Sequence, residues 1–159
     1  MLVGIISDTN DRFDVMATAV RVLVDAGAEL LVHCGDIGNR KVLDPLAGLN
    51  AAFVWGDRDA DRMGLLRHAD NLGIQCFGVM GELESNGKSM AVIHGNDAKL
   101  TKRLVKESLY DYLLVGHSKT TQDERQGRTR LINPGSLDGP EKTVVLLDTE
   151  TDTLQVIKV

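Results

Sequence analysis

The chain has 159 residues, 43% of them hydrophobic and 26% charged, with a formal net charge of −5. That is enough chain for one domain with a sizeable core, and an acidic balance argues against a nucleic-acid partner, which needs a basic patch. No apolar run approaches the ~20 residues that span a bilayer, and Met1 leads straight into a strand-like run without a leader pattern.

Leu2–Ile6 is apolar throughout, partly β-branched and too short for a helix, so it reads as a strand covered on both faces. It ends abruptly in Ser7, Asp8 and Asn10. Phe13, Met16, Ala17, Val20, Leu23 and Val24 then follow helical spacing, and Gly27 stops that helix. Leu30–Cys34 is a second strand, parallel to the first across a β-α-β unit. A helix over 40–47 is shortened or broken by Pro45. A third strand runs from Ala51 to Trp55, and a helix covers 61–72 before Gly73.

The rhythm changes there. Ile74–Met80 and Lys88–Ile93 flank Ser85, Asn86 and Gly87, and Asn-Gly between strand-like runs signals a hairpin. A helix over 97–109 carries Leu100, Leu104 and Val105 on one face and Lys99, Lys102, Arg103 and Lys106 on a solvated one. Strands follow at Tyr112–Val115, near Thr120–Gln126, near Thr129–Ile132, near Thr143–Leu147 and near Leu154–Val159, with turns at Gln126–Gly127 and over 148–152. An alternating α/β first half and a β-rich second half are both satisfied by two facing sheets with helices outside. Cys34 and Cys76 read as two buried free thiols rather than a disulfide, and the whole chain, 1–159, as one cytoplasmic domain.

Five strands deliver a ligand-type side chain at or just beyond their carboxyl ends: Asp8, Asp36, Asp57, His94 and His117. Ligands collect at such ends in layered α/β folds. Imidazole with carboxylate suits manganese, iron, zinc or nickel better than calcium. His33, inside an apolar run, reads as a satisfied interior histidine, and His68 as a helix-surface residue.

Asp8-Thr9-Asn10, Gly35-Asp36, Gly56-Asp57-Arg58-Asp59, His94-Gly95, Gly116-His117-Ser118-Lys119 and Asn133-Pro134-Gly135-Ser136 stand in an order and spacing that resembles the calcineurin-like metallophosphoesterases, in particular their small YfcE/MJ0936-type phosphodiesterases. The resemblance covers essentially the whole chain. It implies a four-layer α-β-β-α sandwich of two mixed sheets flanked by helices, two divalent ions at the strand ends, and hydrolysis of a small phosphate ester. No membrane partner is implied, and a homo-oligomer is compatible.

Three positions depart from the family pattern. Asn10 stands for the His of Asp-x-His, Asp57 for the Asn of Gly-Asn-x-Asp, and Lys119 for the last His of Gly-His-x-His. By the resemblance, one ion site keeps Asp36, Asp57, His94 and His117, while the other has lost two imidazoles from a set built on Asp8 and Asp36. One divalent ion per chain is therefore expected, manganese first, with nickel, iron, zinc or magnesium compatible. Carboxylates ~4 Å apart repel by about 4 kcal/mol per pair at an effective dielectric of 20. Lys119, with Arg58, is expected to offset that repulsion near Asp8 and Asp36. Asn10, Arg58 and Lys119 are thus the candidate catalytic residues. The contrasting reading is a binding module that keeps the fold and has lost the chemistry, as in the small retromer subunit of eukaryotic endosomal coats.

Overall fold

The computed structural model describes residues 1–159. Its first sheet has six strands in the order β11-β10-β1-β2-β3-β4: β1 (Leu2–Ile6), β2 (Leu30–His33), β3 (Ala51–Phe53), β4 (Gln75–Cys76), β10 (Thr143–Asp148) and β11 (Thr153–Lys158). β1 to β4 run parallel, and β10 and β11 add antiparallel on the β1 side. The second sheet has five strands in the order β5-β6-β7-β9-β8: β5 (Met80–Ser85), β6 (Lys88–Ile93), β7 (Tyr112–Leu114), β8 (Thr121–Gln126) and β9 (Thr129–Pro134). Parallel pairs β6·β7 and β7·β9 sit between antiparallel edges.

Alternation along the strands sorts the core into layers. Val3, Ile5, Val32 and Val54 meet Met90, Val92, Leu114 and Ile132 between the sheets. Ile6 and Leu31 face the other way, toward α1 (Phe13–Asp25), a 3₁₀ segment over Arg40–Leu46 and α2 (Arg62–Leu72). Ala91, Ile93 and Leu113 pack under α3 (Ala98–Glu107). The result is the expected helix-sheet-sheet-helix order. Gly4 lets α1 press against β1, because a Cβ there would lie 2.6 Å from the Leu31 side chain and 2.9 Å from that of Leu23.

Several expectations are corrected. The first strand of the Asn86-Gly87 hairpin is Met80–Ser85, not Ile74–Met80. Gly78, at φ 76°, breaks the apolar run, and only Gln75–Cys76 pairs, on the edge of the other sheet. The 40–47 element winds as 3₁₀ around Pro45, with the Asn39 side chain accepting from the Lys41 N–H as its cap. Ala19 joins the buried face of α1, while Phe13 and Val24 at its two ends are exposed. Both cysteines are free, but only Cys34 is fully buried. No helix is long and apolar enough to cross a membrane.

Candidate metal centre

The strands leave their sheets through sharp turns. Asp8, Asn10, Asp36, His117 and Lys119 all hold left-handed backbone, with φ between 42° and 64°, a region that side chains other than glycine enter at a cost. Backbone bonds stitch the loops to one another: Asp8 N–H donates to Gly35 O, Asn10 N–H to Asp36 O, and Gly116 N–H to His94 O. Two glycines permit this approach. A Cβ on Gly56 would fall 2.2 Å from the Asp36 nitrogen, and one on Gly116 would fall 2.0 Å from Ser7 Oγ.

The structure brings Asp8, Asp36, Asp57, His94 and His117 together at one edge, as two groups that share His94. In each of Asp8/Asp36/His94 and Asp57/His94/His117, one ligand-type atom per residue lies within 4.8 Å of the others. His94 is the centre of both. Its Nδ1 is 2.7 Å from the Cys34 carbonyl, which can only accept, so Nδ1 carries the hydrogen and the neutral ring offers its lone pair at Nε2. Asp57 Oδ1 lies 2.9 Å and Asp36 Oδ1 3.3 Å from that Nε2. Neither is an in-line hydrogen-bond partner, and Nε2 is buried without one. His117 Nδ1 lies 3.3 Å from the same Asp57 oxygen.

Asp8 is fully buried. Its Oδ2 accepts from Ser7 Oγ at 2.5 Å and from the His117 N–H at 3.1 Å, while Oδ1 has no partner. Burial pushes its carboxyl pKa up, against the Ser7 bond and the nearby His94. Burial pushes Asp36 up as well, but His94, the Arg58 N–H and the Arg58 charge together bring it below the usual carboxylate range. Burial lowers His94; the Asp36 carboxylate and the Cys34 carbonyl more than reverse this and raise it to about 9, so without an ion the ring also carries a proton at Nε2, which a bound cation would displace. Two buried atoms without hydrogen-bond partners, Asp8 Oδ1 and His94 Nε2, fit a divalent cation: the first is an electron-pair donor, and the second becomes one on losing its proton to the incoming ion.

Sequence reasoning gave Asp59 no role, yet it frames the centre. Its buried carboxylate accepts from the Asp36, Ile37, Gly38 and Gly56 N–H groups at 2.7–3.2 Å, fastening the Asp36 loop to the Asp57 loop. The advance signal was its place as the closing Asp of the Gly56-Asp57-Arg58-Asp59 motif, to which no task was assigned. His33 is the satisfied interior histidine expected. Its Nδ1 accepts from Gly35 N–H, so Nε2 carries the hydrogen and donates to Thr9 Oγ1 at 2.7 Å. His68 lies on α2 against Asp44, at 2.5 Å. Asn133 holds the Gly116–Ser118 turn through Gly116 O and Ser118 Oγ, and Ser136 Oγ reaches Asp8 O, so this motif braces the centre without supplying a ligand-type atom.

Lys119 departs from expectation. Its ammonium pairs with Asp138 at 3.6 Å, on a carboxylate that Arg12 also approaches, and reaches neither Asp8 nor Asp36. Asp138 is 19 residues away in sequence, so spacing around the motif gave no hint of it. The cation beside the carboxylates is Arg58. Its N–H donates to Asp36 Oδ1 at 2.9 Å, its Nε lies 3.9 Å from Asp36 Oδ2, and its Nη1 reaches Asn10 Oδ1 at 3.4 Å. Asn10 Nδ2 is left as an unused buried donor.

Residues 1–152 match the calcineurin-like phosphoesterase superfamily domain. The phosphodiesterase MJ0936 of Methanocaldococcus jannaschii is 27% identical over 156 residues, 94% of each chain. A solved archaeal phosphodiesterase has a TM-score of 0.93 at 24% identity over 100% of both chains. Wild-type Vps29 from Entamoeba histolytica, solved with zinc, has a TM-score of 0.66 at 18% identity over 100% of this chain and 98% of its own. The last two likenesses speak to the fold, and the domain match settles the family: the chain belongs to the calcineurin-like phosphoesterase superfamily.

Proposed function

We propose that this protein is a metal-dependent phosphodiesterase acting on a small phosphate ester, with one divalent ion per chain held by Asp36, Asp57, His94 and His117. The observation that carries the reading is His94 Nε2, buried without a hydrogen-bond partner between the Asp57 and Asp36 carboxylates. One lone pair serves one ion. The Asp8 side, with Asn10 and Lys119 where the family has imidazoles, offers no imidazole besides His94. Manganese is the first candidate, and nickel, iron, zinc or magnesium suit the same donors. When bound, such an ion supplies Lewis acidity toward the phosphoryl oxygens and toward a water nucleophile.

The chain's own residues do the rest. Cys34 O holds the His94 tautomer. Asp59 fixes the distance between the two carboxylate loops. The Arg58 side chain is 57% exposed, so its guanidinium fork is free to meet phosphoryl oxygens, and Asn10 Nδ2 has a hydrogen to give them. The two unpaired cysteines agree with a reducing, cytoplasmic setting.

The test is elemental analysis after manganese incubation, beside an assay on an aryl phosphodiester. One equivalent with turnover is expected, and two equivalents would overturn the stoichiometry. The replaced imidazoles at Asn10 and Lys119 favour the binding-module reading, which no uptake and no turnover would establish.

A further inference from the structure

Two recesses flank the centre, and the loop from Trp55 to Arg62 lines both. One is polar, with Arg40 and Arg58 facing Asp11 and Asp61. The other holds about 290 Å³ and is two-sided, with Trp55, Val79, Ile93 and Leu100 as its apolar wall and Arg62, His94, Asn96 and Asp97 as its polar one. It shares His94 with the ligand set and borders Gly56, the residue before Asp57.

We infer that this second recess takes a planar aromatic group carried by the phosphate ester, so that the substrate class is aryl or nucleoside phosphoesters rather than small aliphatic ones. This rests on the phosphodiesterase reading and adds to it where the organic part of the substrate goes. Three observations support it. The volume lies at the low end of ligand pockets, which run from about 300 to 1,000 Å³, and so suits one ring system. One wall is aromatic: Trp55, the only tryptophan in the chain, has its ring braced edge-on by Phe53 at 5.2 Å, and its backbone N–H donates to Gly78 O. The Arg62 guanidinium lies 5.9 Å from the Trp55 ring centre, with one nitrogen 3.4 Å from Gly56 O. Flat rings recognise flat rings and guanidinium planes, and an aliphatic group gains neither contact. At the rim, on the apolar wall, Val79 is 66% exposed, with nothing of this chain covering it.

Because Trp55 is the sole tryptophan, its fluorescence reports on the recess directly. Manganese-loaded protein is titrated with phenyl phosphate, adenosine 5′-monophosphate and methyl phosphate, followed by fluorescence and calorimetry. Phenyl phosphate, or the nucleotide if the ring stands one sugar away, should bind about tenfold tighter than methyl phosphate and alter the Trp55 emission. Tenfold is about 1.4 kcal/mol, the return from covering about 55 Å² of apolar surface. Leu100→Ser should lower that preference toward unity while leaving methyl phosphate binding unchanged. Val79→Ser, at an exposed position where folding is not at risk, should lower it in part. Equal binding of all three probes with unchanged emission overturns the inference, as does a preference that survives both variants. Manganese uptake and diester turnover are read separately: their absence overturns the phosphodiesterase reading, and their presence without ring preference overturns this one alone.

Discussion

The two ligand groups share His94 and differ in almost everything else. Asp8, Asp36 and His94 are at most 2% exposed. Asp8 is held by Ser7 and the His117 N–H, and Asp36 by the Arg58 N–H. The Asp57 and His117 side chains are each 46% exposed, and beyond His94 they lean only on each other. The buried group is a fixed frame and the exposed group an adjustable rim. An ion held as proposed would be backed by the frame and open to solvent at the rim. The His117 N–H donated to Asp8 couples the halves through backbone, so side chains can be removed from the rim without disturbing the frame.

The largest effect should come from the residue both halves use. His94→Ala should cost about 10³-fold in turnover, about 4 kcal/mol of barrier, together with the bound manganese. Near-normal metal content in that variant would mean the two groups do not meet at His94. Asp59→Ala removes no ligand but strips four backbone N–H groups, that of Asp36 among them, of their acceptor. It should lower unfolding free energy by about 3 kcal/mol, read by denaturant titration, with Asp59→Asn milder because its amide oxygen still accepts. An unchanged midpoint would show that the frame does not depend on this carboxylate.

On the rim, His117→Ala should weaken manganese binding up to about 10²-fold and move stability by no more than about 0.5 kcal/mol. Unfolding as severe as that of Asp59→Ala would erase the distinction between frame and rim. The last effect is a slope rather than a single loss, and it concerns pH. Burial holds His33 neutral, its pKa lowered to about 3. The unfolded chain therefore binds a proton that the native state refuses between pH 6.5 and about 3. Stability should fall across that window as pH drops, by at most about 1.4 kcal/mol per unit. A plot of wild type against His33→Asn isolates this slope, and parallel curves would exclude it.

Much of the frame is legible in the chain because it is local. Short β-branched runs that stop at Asp8, Asp36 and His94 announce buried strands with their cargo at the end. The lines that fail are non-local or depend on backbone sign. Met80–Ser85 alternates because it is an edge strand, and so looks less strand-like than the apolar stretch before it, which Gly78 diverts. Lys119 sits in the family's motif, but its partner Asp138 lies past β9. Asp59 serves amides about twenty residues earlier, a debt no periodicity records.

The left-handed backbone at Asp8, Asn10, Asp36 and His117 sets folding against chemistry within single residues. Glycine would relax each position by about 1 kcal/mol and would delete a ligand or a candidate catalytic group in doing so. A lineage, or a laboratory selection, that rewards thermal tolerance alone is thus drawn first to the very positions that define the centre. The sturdiest descendants of this chain would be those that had forgotten how to hold a metal.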